Sequence, residues 1–65
     1  MSETKAHLKQ NAVREDGTLN VLQLRANRDH ALAAARVSIE DDAALAAREG
    51  EIEAAYLEIR AEFGS

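Results

Sequence analysis

The stretch ALAAARVSIEDDAALAA, residues 31–47, places two alanine-leucine runs on either side of a short charged segment. Both runs are strong helix formers, so the open question is whether they belong to one long rod or to two helices. Leu32 and Leu45 are 13 residues apart. At about 100° per residue this spacing turns through about 220° net of whole turns, so in one rod the two leucines would face nearly opposite ways. Folded back as two helices, both leucines can face a shared seam.

The charged segment between the two runs also favours a hairpin. In a continuous helix, the face that contains Leu45 would also carry Ser38, Asp42 and Glu49. The middle of this face would be polar, whereas a long helix needs apolar side chains there to pack against a partner. Ser38 followed by Asp41 fits a variant of the capping box, and the acidic residues 40–42 suit the positive end of a new helix. The segment has neither Gly nor Pro, which favours the rod, because turns usually contain them. We predict a helical hairpin that turns within residues 37–42.

The two predicted helices cover about residues 18–38 and 39–63. Thr18 is a candidate N-cap of the first helix. The apolar spacing of the second helix continues across Gly50, so we place Gly50 inside this helix, where glycine costs about 1 kcal/mol relative to alanine. Gly50 either lets another backbone approach closely or is simply an exposed glycine. One face of the first helix carries Val21, Leu24, Leu32, Ala35 and Ile39, and the seam of the second carries Leu45, Ile52, Tyr56, Ile59 and Phe63. The predicted shared core is Leu24, Leu32, Leu45, Ile52, Tyr56 and Ile59.

Residues 1–17 have the weakest pattern of the chain, and we treat them as a weakly structured N-terminal segment of a single small helical domain. Leu8, Ala12 and Val13 fit neither a helical stripe nor a strand alternation. Asp16-Gly17 is compatible with a hairpin turn and equally with a helix C-terminus that has Gly17 just beyond it. We favour a short or frayed helix before a turn. The predicted fold class is therefore all-α.

Length and composition limit the classes of function. A chain of 65 residues has a marginal core, and small scaffolds usually need a disulfide, a metal or a second copy. The absence of Cys excludes disulfides and thiolate metal sites, and the two histidines, His7 and His30, do not form a metal-binding pattern. No apolar leader or membrane-spanning run is present, so we expect a cytoplasmic protein without cofactor or metal. Dimerisation into a four-helix bundle, or binding to a larger partner, is the expected source of stability.

Charge is unevenly distributed along the chain. Residues 1–36 carry six basic and four acidic residues, a net charge of +2, whereas residues 37–65 carry two basic and eight acidic residues, a net charge of −6. This asymmetry favours antiparallel pairing of a basic first helix with an acidic second helix. Folding back at about residue 40 is expected to set Arg28 near Glu51 and Arg25 beside the acidic helix.

Catalytic patterns are not recognisable. A nucleophile needs a base within hydrogen-bond reach and an orienting group behind it, and nothing in the spacing brings Ser38, Thr18, His30 and Asp29 together. We therefore expect no catalytic residue and a protein that is not an enzyme. Arg25, Arg28 and Arg36 could lie along nucleic-acid phosphates, but the acidic balance of the chain, with a net charge of −4, argues against it.

The remaining class is a protein-protein interaction module that self-associates or binds a partner helix, in the manner of an adaptor, cochaperone or inhibitor. We predict Leu22 and Leu57 as the association face, with Leu32 and Tyr56 contributing to it. In size and plan the chain resembles small secretion cochaperones and small phage-encoded regulators, without a shared motif. The alternatives are a nucleic-acid-binding regulator that uses the three arginines, and a small structural protein of a phage or virion.

Overall fold

Three helices form the fold in the computed structural model, which describes residues 3–64. They are α1 (Glu3–Lys9), α2 (Val21–Ser38) and α3 (Asp42–Glu62). The molecule measures 41 × 18 × 17 Å, whereas one unbroken helix over residues 21–62 would be about 63 Å long at 1.5 Å per residue. The chain therefore folds back, and the predicted all-α hairpin with a turn inside residues 37–42 is confirmed.

The turn between α2 and α3 is built without Gly or Pro. Ile39 and Asp41 both have extended backbone, with φ/ψ of −109°/115° and −78°/124°, which any residue adopts. The Asp41 carboxylate accepts a hydrogen bond from the Ala44 N–H at 2.8 Å and is the N-cap of α3. The predicted capping role of Ser38 is wrong, because Ser38 is the last helical residue of α2 and its hydroxyl donates back to the Ala34 carbonyl at 2.7 Å.

The start of α2 also differs from the prediction. Asn20 is the N-cap, and its side-chain oxygen accepts from the Gln23 N–H at 3.3 Å. Thr18 is not a cap, because its hydroxyl and its N–H both donate to the Asp16 carboxylate, at 2.6 and 3.0 Å. These two hydrogen bonds lower the pKa of Asp16, and the bond from the Thr18 hydroxyl has the larger effect. Thr18 thus belongs to a tight turn that precedes the helix.

That turn settles the two interpretations of Asp16-Gly17. Val13 and Leu19 form an isolated antiparallel bridge, and the Arg14 N–H donates to the Thr18 carbonyl at 2.8 Å. Gly17 has φ +86°, a conformation that costs glycine little. Gly17 is therefore in a hairpin-type turn and does not end a helix. The interpretation that we favoured, a helix that ends at Gly17, is therefore wrong, although a short helix, α1, does precede the turn and ends at Lys9.

Helix α1 and the residues after it are docked on the hairpin. The Asn27 amide donates to the Leu8 and Gln10 carbonyls at 2.9 and 2.8 Å, which satisfies the C-terminal end of α1. The Thr4 hydroxyl donates to Glu51 at 2.8 Å and accepts from Arg48 at 2.6 Å. Since Leu8 is only 1% exposed, this N-terminal segment supplies part of the core.

The core lies where the three helices meet. Four of the six predicted core residues are buried, namely Leu24, Ile52, Tyr56 and Ile59. Leu32 and Leu45 are half-buried and pack against them. Ala35, which the sequence pattern placed on the apolar face of the first helix, is also buried, whereas the pattern did not indicate Leu8, Ala12 and Ala55.

Gly50 lies inside α3, as predicted, but no neighbouring backbone makes use of it. A Cβ atom built there meets nothing within 4 Å among the described residues. We expect Gly50→Ala to raise the free energy of unfolding by about 0.5–1 kcal/mol, because alanine restricts the unfolded chain and favours helix. Urea denaturation followed by circular dichroism measures this gain. Gly17→Ala is the matched control and should destabilise, because its backbone has positive φ. A loss of stability in Gly50→Ala would contradict the exposed placement.

Candidate interaction surfaces

The two leucines predicted to form the association face lie on the outer sides of the hairpin helices. Leu22 is 78% exposed and Leu57 is 63% exposed. Each precedes a buried residue, Leu24 or Ile59, by two positions, which is about 200° around a helix. Both leucines therefore point away from the core. Val37, at 87% exposure, is a third large apolar side chain that α2 leaves open.

Leu32 and Tyr56 are placed differently from the other two predicted interaction residues. Leu32 is half-buried against the core, and Tyr56 is only 5% exposed. The Arg28 guanidinium covers the Tyr56 ring, with its central carbon 4.6 Å from the ring centroid, and Arg60 lies at 5.9 Å. Tyr56 is thus a core residue under two arginines, and an open contact face requires other side chains.

The arginines of α2 are largely matched by acidic residues. Arg28 lies 3.1 Å from Asp29 and 3.8 Å from Glu53, and the bond to Asp29 is the main cause of its raised pKa. The expected pairing of Arg28 with Glu51 is wrong, because Glu51 faces α1 and pairs with Arg48 at 3.2 Å. Glu53, two positions further on, faces α2 instead.

The other two arginines differ from each other. Arg36 pairs with Glu49 at 3.0 Å, whereas Arg25 is exposed and has no ion pair within residues 3–64. Two of the three arginines proposed for nucleic-acid contact are therefore neutralised by nearby carboxylates, which reduces the number of phosphates they could neutralise.

Ion pairs also fasten α1 to the end of α3. Lys5 and Lys9 both pair with Glu62, the latter at 3.1 Å. The hydrogen bond from Lys5 is the largest cause of the lowered pKa of Glu62, and the hydrogen bond from Lys9 is the second. The hydrogen bond between Lys5 and Glu62 also raises the pKa of Lys5. Glu62 is exposed and the two lysines are half-buried at the surface, so these ion pairs affect the position of α1 more than stability. The charge asymmetry of the sequence thus acts across the α1–α3 contact as well as across the hairpin.

The residues considered for chemistry have structural contacts. The Ser38 and Thr18 hydroxyls are engaged with Ala34 and Asp16, and Asp29 is engaged with Arg28. Within residues 3–64 no group of three or more His, Asp or Glu side chains is arranged to hold a metal ion. None of the helices in that range combines the length and apolarity needed to cross a bilayer.

A groove with a volume of about 410 Å³ lies between α1 and α2 and reaches Arg48 of α3. Its apolar lining is Leu8, Ala31, Ala34, Ala35 and Ile39, and its polar lining is His7, Gln10, Asn27, His30, Ser38 and Arg48. Within the described part of the chain, no carboxylate lines it. The sequence did not reveal this groove, because His7 and His30 come together only through the docking of α1.

A second hollow of about 390 Å³ shares His7 and Arg48 with the groove. Glu3, Thr4 and Glu51 also line this hollow, so acidic and basic side chains both face it. The contacts among Thr4, Arg48 and Glu51 give this hollow a structural explanation, because they fix the start of α1 on α3.

The chain matches no protein family model, and no curated protein or solved structure proved similar to it.

Proposed function

We propose that this protein is a non-enzymatic protein-protein interaction module that self-associates or binds a partner helix through Leu22 and Leu57, which are exposed on the outer sides of α2 and α3. The observation that supports the proposal is the exposure of these two leucines on the sides of α2 and α3 that face away from the core. A contact there would remove apolar surface from water, which is favourable at roughly 25 cal/mol per Å². Two hairpins that pair into a four-helix bundle are the simplest closed arrangement.

The size of the core gives a second reason to expect association. Four large side chains, Leu8, Leu24, Ile52 and Ile59, are fully buried, and a core of this kind rarely supplies more than about 3–5 kcal/mol alone. A second copy or a partner would add to this. Nucleic-acid binding is the weaker candidate, since Arg28 and Arg36 already have carboxylate partners.

Leu57→Glu is expected to leave helicity nearly unchanged and to abolish self-association or partner capture. The substitution replaces an exposed side chain, so folding of the monomer is spared, but it would bury a charge without a counter-ion in the contact. Circular dichroism reports helicity, and sedimentation equilibrium at micromolar concentration reports assembly.

Leu57→Lys is the matched control for this experiment. It carries the opposite charge at the same position and should disrupt the contact equally if burial of a charge is the cause. An assembly that persists in Leu57→Glu would place the interaction elsewhere. A wild-type protein that stays monomeric, with a melting temperature independent of concentration, would contradict self-association.

A further inference from the structure

We propose that two copies of this chain exchange α3 and form a dimer in which α2 and α3 of each copy join into one long helix. Residues 39–41, which form the turn of the hairpin, are the hinge of this exchange. The inference goes beyond the proposed function, because it uses the contacts of the core and does not involve Leu22 or Leu57. Reciprocal exchange gives a closed dimer with two-fold symmetry.

The buried side chains of α2 and α3 are the first support, because they follow a single seven-residue repeat that continues through the turn. Leu24 and Ile52 are 28 residues apart, and Ala35 and Tyr56 are 21 residues apart, which are whole numbers of repeats. Among the buried residues of these two fully described helices, Ala55 alone lies outside the repeat. One supercoiled helix over residues 21–62 would therefore carry the others on one face. These residues are Leu24, Ala35, Ile52, Tyr56 and Ile59.

The repeat is polar where the chain turns. Ser38 and Asp42 occupy it there, and both are exposed in the hairpin. In the exchanged dimer the two long helices cross antiparallel near the hinge, so Ser38 of one copy would face Asp42 of the other, and a hydroxyl can donate to a carboxylate. The carboxylates of residues 40–42 of both copies would also approach one another. Their repulsion is screened by salt, so we expect the dimer at high protein concentration and high ionic strength.

The hinge is the second support. It contains neither Gly nor Pro, and none of its three residues has positive φ, so each of them can adopt a helical conformation. The Ile39 N–H already donates to the Ala35 carbonyl at 2.9 Å, which is the bond that a continuing helix makes. In the hairpin, the Asp41 carboxylate caps α3 at the Ala44 N–H. A continuous helix replaces this cap with backbone partners for the end of α2 and the start of α3.

The contacts of the core are the third support, because exchange conserves them. Residues 3–38 of one copy would pack on α3 of the other, while the Asn27 amide still holds α1 on its own α2. The hydrogen bond from Thr4 to Glu51 would then form between the two chains. The exchanged dimer therefore differs from two hairpins mainly at the hinge. Exchange of an identical element is a low-cost route to a dimer for this reason, and short hinge loops favour it.

Spin labels on Arg25→Cys and Ala54→Cys distinguish the two forms. The chain has no Cys of its own, and both positions are exposed. In the hairpin the labels lie on neighbouring helices, within about 25 Å for an interaxial distance of about 8–10 Å plus the label arms. In one long helix they are 29 residues apart, about 43 Å at 1.5 Å per residue. Dilution of the labelled chain in excess unlabelled protein restricts the measurement to distances within one chain.

The wild-type sequence with these labels is expected to show both distances. At millimolar concentration and about 0.5 M salt, the distance of about 43 Å should appear and grow in step with the dimer fraction from sedimentation equilibrium. Dimers that show the short distance alone would overturn the proposal. A chain that stays monomeric under these conditions, both as wild type and as Asp41→Ala, would overturn it as well.

Asp41→Ala tests the hinge, because the cap that it removes exists in the hairpin and not in the long helix. The substitution also favours helix at position 41, so we expect the Kd of the exchanged dimer to fall at least about 10-fold. Asn20→Ala is the matched control. It removes the N-cap of α2, which both forms contain, and should leave the Kd unchanged. Equal effects of the two variants would overturn the assignment of the hinge.

Glu40→Gly is a second variant of the hinge and has the opposite expected effect. Glycine at an exposed position of the turn is tolerated in the hairpin but disfavours the long helix, so the Kd of the exchanged dimer should rise about 10-fold. An unchanged or lower Kd would contradict the helical conformation of residues 39–41 in the dimer.

The labels also separate this inference from the proposed function. Leu57 lies outside both the hinge and the seven-residue repeat. If Leu57→Glu abolishes assembly and the wild type shows the short distance alone, exchange is overturned and association through Leu22 and Leu57 stands. If the long distance grows with concentration in Leu57→Glu as it does in the wild type, exchange stands and self-association through the two leucines is overturned.

Discussion

Ile52→Ala is expected to lower the free energy of unfolding by about 2–5 kcal/mol. Ile52 is fully buried at the centre of α3, and truncation both removes buried methylene groups and leaves a cavity that the surrounding helices fill only in part. The loss is comparable to the whole stability expected of so small a core, so the variant should be largely unfolded at room temperature. Urea denaturation followed by circular dichroism at 222 nm measures it.

Val37→Ala is the control for Ile52→Ala. Val37 is 87% exposed, and its truncation should change stability by no more than about 0.5 kcal/mol. If Ile52→Ala proves too unstable to give a baseline, the Gly50→Ala background restores part of the folded population. A cost below 1 kcal/mol in that background would contradict the placement of Ile52 in the core.

Leu8→Ala is expected to destabilise by a similar amount, about 2–5 kcal/mol, and so to show that α1 folds together with the hairpin. Leu8 is 1% exposed, and the carbonyl of the same residue accepts from the Asn27 amide. Loss of its side chain should therefore loosen the whole three-helix core, and one cooperative transition should shift to lower urea concentration.

His7→Ala is the control for Leu8→Ala, because His7 is exposed on the same helix. Hydrogen exchange gives a second measurement. If α1 were a separate appendage, Leu8→Ala would raise exchange only at residues 3–9 and leave the midpoint of the hairpin unchanged. That result would contradict the three-helix core.

The features that follow from helical periodicity were predictable from the sequence. Ile52, Tyr56 and Ile59 of α3 are spaced by four and three positions and so fall on one side of the helix, which allowed them to be assigned to the core without knowing their partners. The location of the turn was predictable for a similar reason. A continuous helix through residues 38–42 would have had no apolar face to bury in that segment. Both inferences depend only on contacts along one helix and on the need to bury its apolar side.

The capping residues and the partners of the arginines were predicted less well. Ser38 and Asp41 both suit an N-cap by residue type, and the backbone conformation decides between them, because only Asp41 is extended. Glu51 and Glu53 are equally acidic, and which one meets Arg28 depends on the rotation of α3 about its axis when it docks on α2. A rotation of this kind follows from the packing of the whole core and has no local signal.

The sequence by itself determined that the chain is helical, that it folds back near residue 40, and that α3 buries one continuous seam, because these properties follow from residue spacing within a segment. Only the tertiary structure decided that α1 completes the core, that Tyr56 lies under Arg28, and that His7 and His30 border one groove. Each of these joins residues from different helices, and α1 is too short, at seven residues, to show an apolar periodicity of its own. Its place in the fold comes from Asn27, Glu51 and Glu62, which hold it from the two helices that follow.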